Sequence, residues 1–273
     1  MKSRDSSPLG HATGYPDRYD AGLLFAIDRA RQRDLLGVHG ALPFSGADLW
    51  TAYEISWLDA AAKPQLAIGA IRIPADSPAT VESKSLKLYL GSFAQEALPT
   101  RGRLGEIIAA DLGRVCGAEV DVALRPATPR GTLPVGELAG ESLDREDAAA
   151  DAPAPSPGLL VAGGPTTDEA LRTSLFRATC PVTGQPDYGD VMVRYRGPRI
   201  DRVSLLRYLL SYRRHAAFHE SCVERTFVDI AARCRPECLT IYARFVRRGG
   251  IDINPFRSNF EAPPAAAART PRQ

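Results

Sequence analysis

Four stretches of this sequence carry side chains that can do more than pack. Cys180 stands where a strand-like pattern runs into Pro181-Val-Thr-Gly-Gln-Pro-Asp-Tyr-Gly-Asp, a segment whose prolines and glycines mark a turn. A thiol expected at a strand end, outside a core, suits a nucleophile. Asp187 follows seven residues on, across the Gly184/Pro186 turn, where a carboxyl can return toward the sulfur as proton donor or as the group that sets its charge. A buried cysteine beside a turn aspartate accounts for the same letters, since unpaired cysteine is among the most buried residue types. Phe218-His219-Glu220 opens a long helical pattern, and free N–H groups there favour an anion or polarised ligand. Glu220 can accept from two neighbouring N–H donors of a guanine-like edge, and His219 can stack, hydrogen-bond or carry a proton. A first-turn acid beside a surface histidine is the plainer account.

Val81-Glu82-Ser83-Lys84-Ser85-Leu86-Lys87 sets a carboxylate, hydroxyls and two lysines at a helix start, where phosphates or ribose hydroxyls can be held. Ser83 as a helix cap, with the lysines in water, explains the segment without a ligand. Arg247-Arg248-Gly249-Gly250 offers guanidiniums beside glycines that allow close backbone approach, as a phosphate such as that of NADPH requires. A glycine turn between strands with surface arginines is the alternative there.

Other chemistry has no footing in the sequence. No Gly-x-Gly-x-x-Gly is present, so a nicotinamide cofactor has to bind outside a Rossmann crevice, and neither a P-loop nor His-Glu-x-x-His occurs. The four histidines, His11, His39, His215 and His219, make a catalytic zinc site hard to assemble, and no metal is expected. Five cysteines with no Cys-x-x-Cys pair point to reduced thiols. Basic and acidic residues number 34 and 32, for a net charge of +2, so no overall field holds a polyanion and direct nucleic-acid binding is not expected. The N-terminal Met-Lys-Ser-Arg-Asp-Ser-Ser-Pro lacks a following apolar segment, and no apolar run reaches the length of a membrane span. A cytoplasmic protein with no membrane contact is the expectation.

These residues need elements to position them. In the first half, strands are expected at Glu54–Leu58 and Gln65–Ile73, then helices at Ser85–Phe93 and along the stripe Leu104, Ile107, Ile108, Leu112, Val115, then a strand at Ala118–Arg125. The second half repeats this order: strands at Ser174–Thr179 and Val191–Tyr195, a helix at Val203–Tyr212, a longer one through Val223, Phe227, Ile230 and Cys234, and a strand at Leu239–Val246. Ser85-Leu-Lys-Leu-Tyr-Leu echoes Ser204-Leu-Leu-Arg-Tyr-Leu-Leu, which suggests an internal duplication. The expectation is an α+β protein with antiparallel sheets covered by helices on one face. Its modules are expected at 1–125 and 159–260. Residues 126–158, rich in Pro, Ala, Gly, Glu and Asp, are expected to form a linker, and 261–273 a frayed tail.

Glu82-Ser83-Lys84-Ser85-Leu86-Lys87-Leu88-Tyr89 meets the eight-position pattern Glu-Ser/Leu-Lys-Ser/Ala-hydrophobic-Lys-Leu/Tyr-aromatic, and in this respect the chain resembles the NADPH-dependent 7-cyano-7-deazaguanine reductases. The likeness is to their long, two-module form, within the tunnelling-fold superfamily. It extends from Tyr19-Asp-Ala-Gly-Leu-Leu-Phe through Trp50-Thr-Ala-Tyr-Glu-Ile-Ser-Trp-Leu to Gly249-Gly-Ile-Asp-Ile-Asn-Pro-Phe-Arg-Ser-Asn, leaving only the expanded 126–158 stretch outside. The resemblance implies two tandem β-β-α-α-β-β modules and a homodimer, with the site at a module or subunit interface. It implies that Cys180 attacks the nitrile carbon to form a thioimide and that Asp187 protonates the nitrogen. By the same likeness, His219 and Glu220 hold the deazapurine together with Val81, Glu82 and Ser83, while Ser83, Lys84, Arg248 and Gly249 bind NADPH. Two hydride transfers from two NADPH then give the aminomethyl product, toward the tRNA base queuosine. Competing readings are a zinc-dependent hydrolase like the GTP cyclohydrolases of the same superfamily, a nitrilase-type cysteine hydrolase, and a non-catalytic deazapurine-binding module.

Overall fold

A computed structural model describes residues 14–128, 134–265 and 268–273. The N-terminal residues read for a leader, His11, residues 129–133 of the expected linker and 266–267 of the expected tail lie outside the described residues. The chain forms two compact units that are not contiguous in sequence. One gathers the described residues of 1–32, 49–132 and 247–252; the other gathers those of 33–48, 133–246 and 253–273.

In the first unit the strand order is β5 (Asp121–Pro126), β3 (Pro64–Pro74), then β2 (Ser45–Leu58) from Leu49 onward, with β3 and β5 antiparallel. A short antiparallel pair, β1 (Ala26–Asp28) with β4 (Ala79–Val81), leads into α2 (Ser83–Gly91) and α3 (Arg101–Cys116), while α1 (Arg29–Asp34) follows β1 directly. Leu104, Ile108 and Leu112 recur every four residues and are fully buried, which is the apolar stripe the spacing predicts. Thr100 caps this helix by accepting from the Arg103 N–H, and Gly117, at φ 69°, closes it.

The second unit has the order β10 (Ile251–Ser258, from Ile253 onward), β9 (Cys238–Phe245), β8 (Pro186–Ile200), β7 (Ala162–Thr179), β6 (Glu141–Ser142). The pairs β10–β9, β9–β8 and β8–β7 are antiparallel, whereas β6 lies parallel to β7. Between β8 and β9 run α4 (Arg202–Leu210) and α5 (His219–Cys234). Val223, Phe227, Ile230 and Cys234 of α5 share a core with Leu205, Leu206 and Leu209 of α4 and with Phe176, Val193, Ile241 and Phe245 of the strands.

The echo between the halves extends to individual hydrogen bonds. In α2, Glu82 caps the helix, Ser85 Oγ donates to the Glu82 carbonyl, Ser92 Oγ donates to the Tyr89 carbonyl, and the buried Tyr89 hydroxyl donates to Asp111 of α3 at 2.7 Å. In α4 the corresponding set is Asp201, Ser204, Ser211, Tyr208 and Asp229 of α5, with the Tyr208 bond at 2.8 Å. The five shared positions Ser-Leu-x-x-Tyr-Leu-x-Ser therefore do the same structural job twice.

The elements depart from expectation where a partner overrides local composition. Strand β7 begins at Ala162 rather than near Ser174, because β8 pairs with it across Gly163-Gly-Pro165 through an irregularity between Ala162 and Thr166. Strand β10 contains Pro255, a residue that argues against a strand, yet all its residues are buried. At Gly46, φ 146°, a Cβ would fall 2.0 Å from the Phe256 carbonyl oxygen, so only glycine fits there. The stretch expected as a linker has fixed structure in residues 134–158: Leu143 is buried in the core, and Asp144 accepts from Thr173 Oγ1 and the Ser174 N–H. The segment expected to fray is anchored too, by Thr270 and Gln273, both buried. One apolar anchor, Leu143, and polar anchors hold the first in place, and polar anchors hold the second.

Candidate active site

Cys180 directly follows β7, and the turn to β8 folds around it. Its N–H donates to the Gln185 carbonyl at 2.8 Å and its carbonyl accepts from the Gly184 N–H at 3.1 Å. Gly184 has φ 70°, the left-handed conformation this return requires. Asp187 is the second residue of β8, paired with Ala178, so seven residues of sequence become a separation of two rungs of one hairpin. The hairpin is joined to the approach of α5: the Thr179 N–H donates to the His215 carbonyl at 2.9 Å, and its own carbonyl accepts from the Ala217 N–H at 3.1 Å. That bridge brings the first turn of α5, with His219 and Glu220, to the end of the hairpin.

His219 Nε2 lies 3.4 Å from Asp187 Oδ1, and its ring stacks on Phe245 with centroids 3.9 Å apart and planes at 20°. Phe218 at the N-cap makes no side-chain cap bond, so no side chain of that residue occupies the N-terminus of α5. The expectation of an open thiol at a strand end needs correction, because Cys180 is only 4% exposed. His219 is 9% exposed and Glu220 8%, so the plainer account of His219 as a surface residue is also wrong.

A neighbour that sequence reading passed over is Cys222. Burial, and then the charges of Asp187 and Glu220, push its thiol well above the ordinary range. Those two carboxyls therefore both act on one buried sulfur three positions along α5 from His219. Its position in the helix phase, i+3 from His219, is the only sequence signal that points there. The other cysteines are unbridged as well.

The remaining candidates lie in the first unit. Val81 ends β4, and Glu82 is the N-cap of α2, its two oxygens accepting from the Lys84 and Ser85 N–H groups at 2.6 and 2.8 Å. The cap is thus Glu82 and not Ser83, whose hydroxyl donates to Glu82 Oε1 at 3.3 Å. Oε2, which accepts from the Ser85 N–H, has a second lone pair with which to meet a ligand N–H. Arg248 and Ile251 close a tight turn in which Gly249 and Gly250 have φ 58° and 79°. A Cβ at Gly249 would meet Lys87 Cδ, Cε and Nζ at 3.2–3.3 Å, so the turn lies directly under the Lys87 ammonium. Arg247 stacks over Tyr53, 4.7 Å from the ring centroid, in the same unit. Lys84, Lys87, Arg247 and Arg248 make a donor set of the type that holds nucleotide phosphates, and the glycine supplies close approach; Lys87 was in the signature but without an assigned role. The residues present fit a phosphorylated dinucleotide such as NADPH.

Among the described residues no three His, Cys, Asp or Glu side chains are grouped to hold a metal ion, and no helix is long and apolar enough to cross a membrane.

Two family descriptions match the chain: "Nitrile reductase, 7-cyano-7-deazaguanine-reductase N-term" over residues 15–124, and "QueF-like protein" over residues 186–264. Cys180 falls between the two matched segments. Curated relatives named NADPH-dependent 7-cyano-7-deazaguanine reductase include one from Burkholderia multivorans, 51% identical over 98% of this chain and 99% of its own length. Another, from Burkholderia orbicola, is 50% identical with the same coverage.

Proposed function

Because this chain belongs to the NADPH-dependent 7-cyano-7-deazaguanine reductase family, we propose that it reduces that nitrile to the aminomethyl group with Cys180 as nucleophile and Asp187 as acid. The protein is an oxidoreductase of queuosine biosynthesis that acts on a nitrile and depends on NADPH; the zinc-hydrolase and binding-only alternatives are not favoured. What supports the residue assignment is one arrangement: the bonds from Thr179 to His215 and Ala217 draw Cys180, Asp187 and the first turn of α5 to one hairpin end.

In this reading Glu220 accepts from the ring N–H donors of the deazapurine, and His219, held flat by Phe245, covers its face. Val81, Glu82 and Ser83 add contacts to the same substrate. The Cys180 sulfur forms a C–S bond with the nitrile carbon while Asp187 delivers a proton to the nitrogen, giving a thioimide. Ser83, Lys84, Arg248 and Gly249, joined by Lys87, would hold NADPH, which when bound would supply one hydride in each of two rounds. On the thioimide carbon the first would give a tetrahedral centre, from which the C–S bond breaks with its electron pair returning to sulfur and an imine is left. The second, with one proton passed from solvent through Asp187 to the nitrogen, would give the amine. Between them the enclosure that buries Cys180 keeps water from the imine, which would otherwise hydrolyse.

The expected result is two NADPH oxidised per aminomethyl product with no added metal, read by cofactor absorbance against product quantified by mass spectrometry. Oxidation without product, or no oxidation by folded protein, would overturn the reading. We also propose that the chain works as a homodimer in the cytoplasm; light scattering should give twice 29.5 kDa, and a mass of one chain counts against it.

A further inference from the structure

We propose that residues Thr270–Gln273 form a strap that positions His219 through Phe245, an inference that rests on His219 being a substrate-holding residue. Gln273 is 5% exposed, and every hydrogen-bonding position of its side-chain amide is used. Its Oε1 accepts from Arg244 Nε at 2.6 Å and from the Thr270 N–H at 3.0 Å. Its Nε2 donates to Asn254 Oδ1 at 2.7 Å and to the Phe245 carbonyl at 3.0 Å. The ring of that same Phe245 is the plane on which His219 lies. Beside it, Arg272 Nη2 donates to the carbonyls of Ser174 and Gly189, at 2.7 and 2.9 Å, and stands 3.2 Å from Asp190.

Gly189 and Phe245 are directly opposite in the β8–β9 ladder. Consecutive residues of the strap therefore hold the two members of one cross-strand pair, two residues along β8 from Asp187. The next bond outward, from the Val246 N–H to the Tyr188 carbonyl at 2.8 Å, ends the ladder beside Asp187. The Phe245 carbonyl itself accepts from Gln273 Nε2, so that bond acts together with the Val246–Tyr188 bond to set the backbone from which the Phe245 ring projects. An apolar anchor would hold the strap close without fixing a direction. The buried side chains of this one, Thr270 and Gln273, are polar and bind by direction.

The test compares Gln273→Ala and Gln273→Glu with the parent in the complete chain. Glutamate keeps the acceptor toward Arg244 and Thr270 but turns lone pairs on the Phe245 carbonyl and on Asn254. Both variants are expected to raise KM for the nitrile substrate about tenfold, the size of one lost directional bond, with KM for NADPH unchanged. In His219→Ala, which is expected to raise the same KM, adding Gln273→Ala should cause no further rise. Unchanged nitrile KM in both Gln273 variants, or an independent further loss in the double variant, overturns the strap while leaving the site reading intact. An unchanged KM in His219→Ala overturns the reading of His219 and the strap with it. Should Gln273→Ala fail to fold, Gln273→Glu carries the same comparison.

Discussion

Replacing Cys180 with alanine is expected to lower turnover by a factor on the order of 10⁴ or more while leaving the fold intact. The argument turns on what else is present to attack a nitrile carbon. Cys222 is a second sulfur in this region, and burial together with the charges of Asp187 and Glu220 keeps it protonated. A neutral thiol is a poor nucleophile, so it does not replace Cys180. The variant should still bind the deazapurine, since the contacts assigned to Glu220 and His219 are untouched, but intact-mass spectrometry should find no adduct. Asp187→Asn supplies the contrast: the sulfur remains, the adduct still forms, and capture slows about 100-fold because a positioned acid is lost. NADPH oxidation by Cys180→Ala within tenfold of the parent would mean that another group makes the bond.

The helical half of this fold was legible because its signal is periodic. Leu104, Ile108 and Leu112, or Val223, Phe227 and Ile230, recur at helix spacing, and each set is buried as that spacing requires. The repeat was legible for a related reason: a serine that caps and a tyrosine that reaches an aspartate on the next helix can be replaced only at the cost of a buried bond, so the letters stay similar in both halves. Strand limits were less legible. Residues 163–166 are exposed and include Gly-Gly-Pro, and only pairing with β8 makes this stretch a strand. In β10 the buried Asp252, Asn254, Arg257 and Ser258 hide the alternation that a half-buried strand shows.

For the site, the sequence supplied residue types and left their burial open. Cys180 and Asp187 could be joined through the turn between them, since a tight hairpin brings distant letters close on adjacent strands. That His219 is sandwiched against Phe245 could not be read, because the two stand 26 positions apart and meet only through the β8–β9 ladder. Nor could the role of residues 268–273, whose composition says loose chain but whose Gln273 amide is fully bonded.

The largest expected loss of stability follows from removing one buried cation. Arg257 of β10 is fully enclosed, with Nη2 2.8 Å from both Asp48 Oδ1 and Glu224 Oε1, and Phe44 lies 5.6 Å from its guanidinium. Glu224 also holds Arg33, at 2.8 and 3.0 Å. Arg257→Met keeps most of the volume but takes the shared cation from two buried carboxylates, leaving Arg33 on Glu224, and a loss of about 3–5 kcal/mol is expected in urea unfolding. The pH dependence distinguishes this cause from a packing defect. Burial by itself would raise the Glu224 carboxyl, but the Arg257 charge and the bond and charge of Arg33 hold it below its ordinary value. A carboxyl depressed by folding stabilises above its unfolded pKa, about 4.3, and that contribution is lost as the pH falls through the folded value. Without Arg257, burial dominates and the carboxyl rises, so the variant should recover part of its deficit as the pH is lowered from 7 toward 5. An equal deficit at both pH values would assign the loss to packing, and a loss under about 1 kcal/mol would mean that the buried cluster is neutral in net. Because Glu224 is one helical turn beyond Glu220 on α5, the same cluster fixes the helix that presents the substrate-reading carboxylate. A loosened cluster should therefore raise KM for the nitrile before it lowers the rate at saturating substrate.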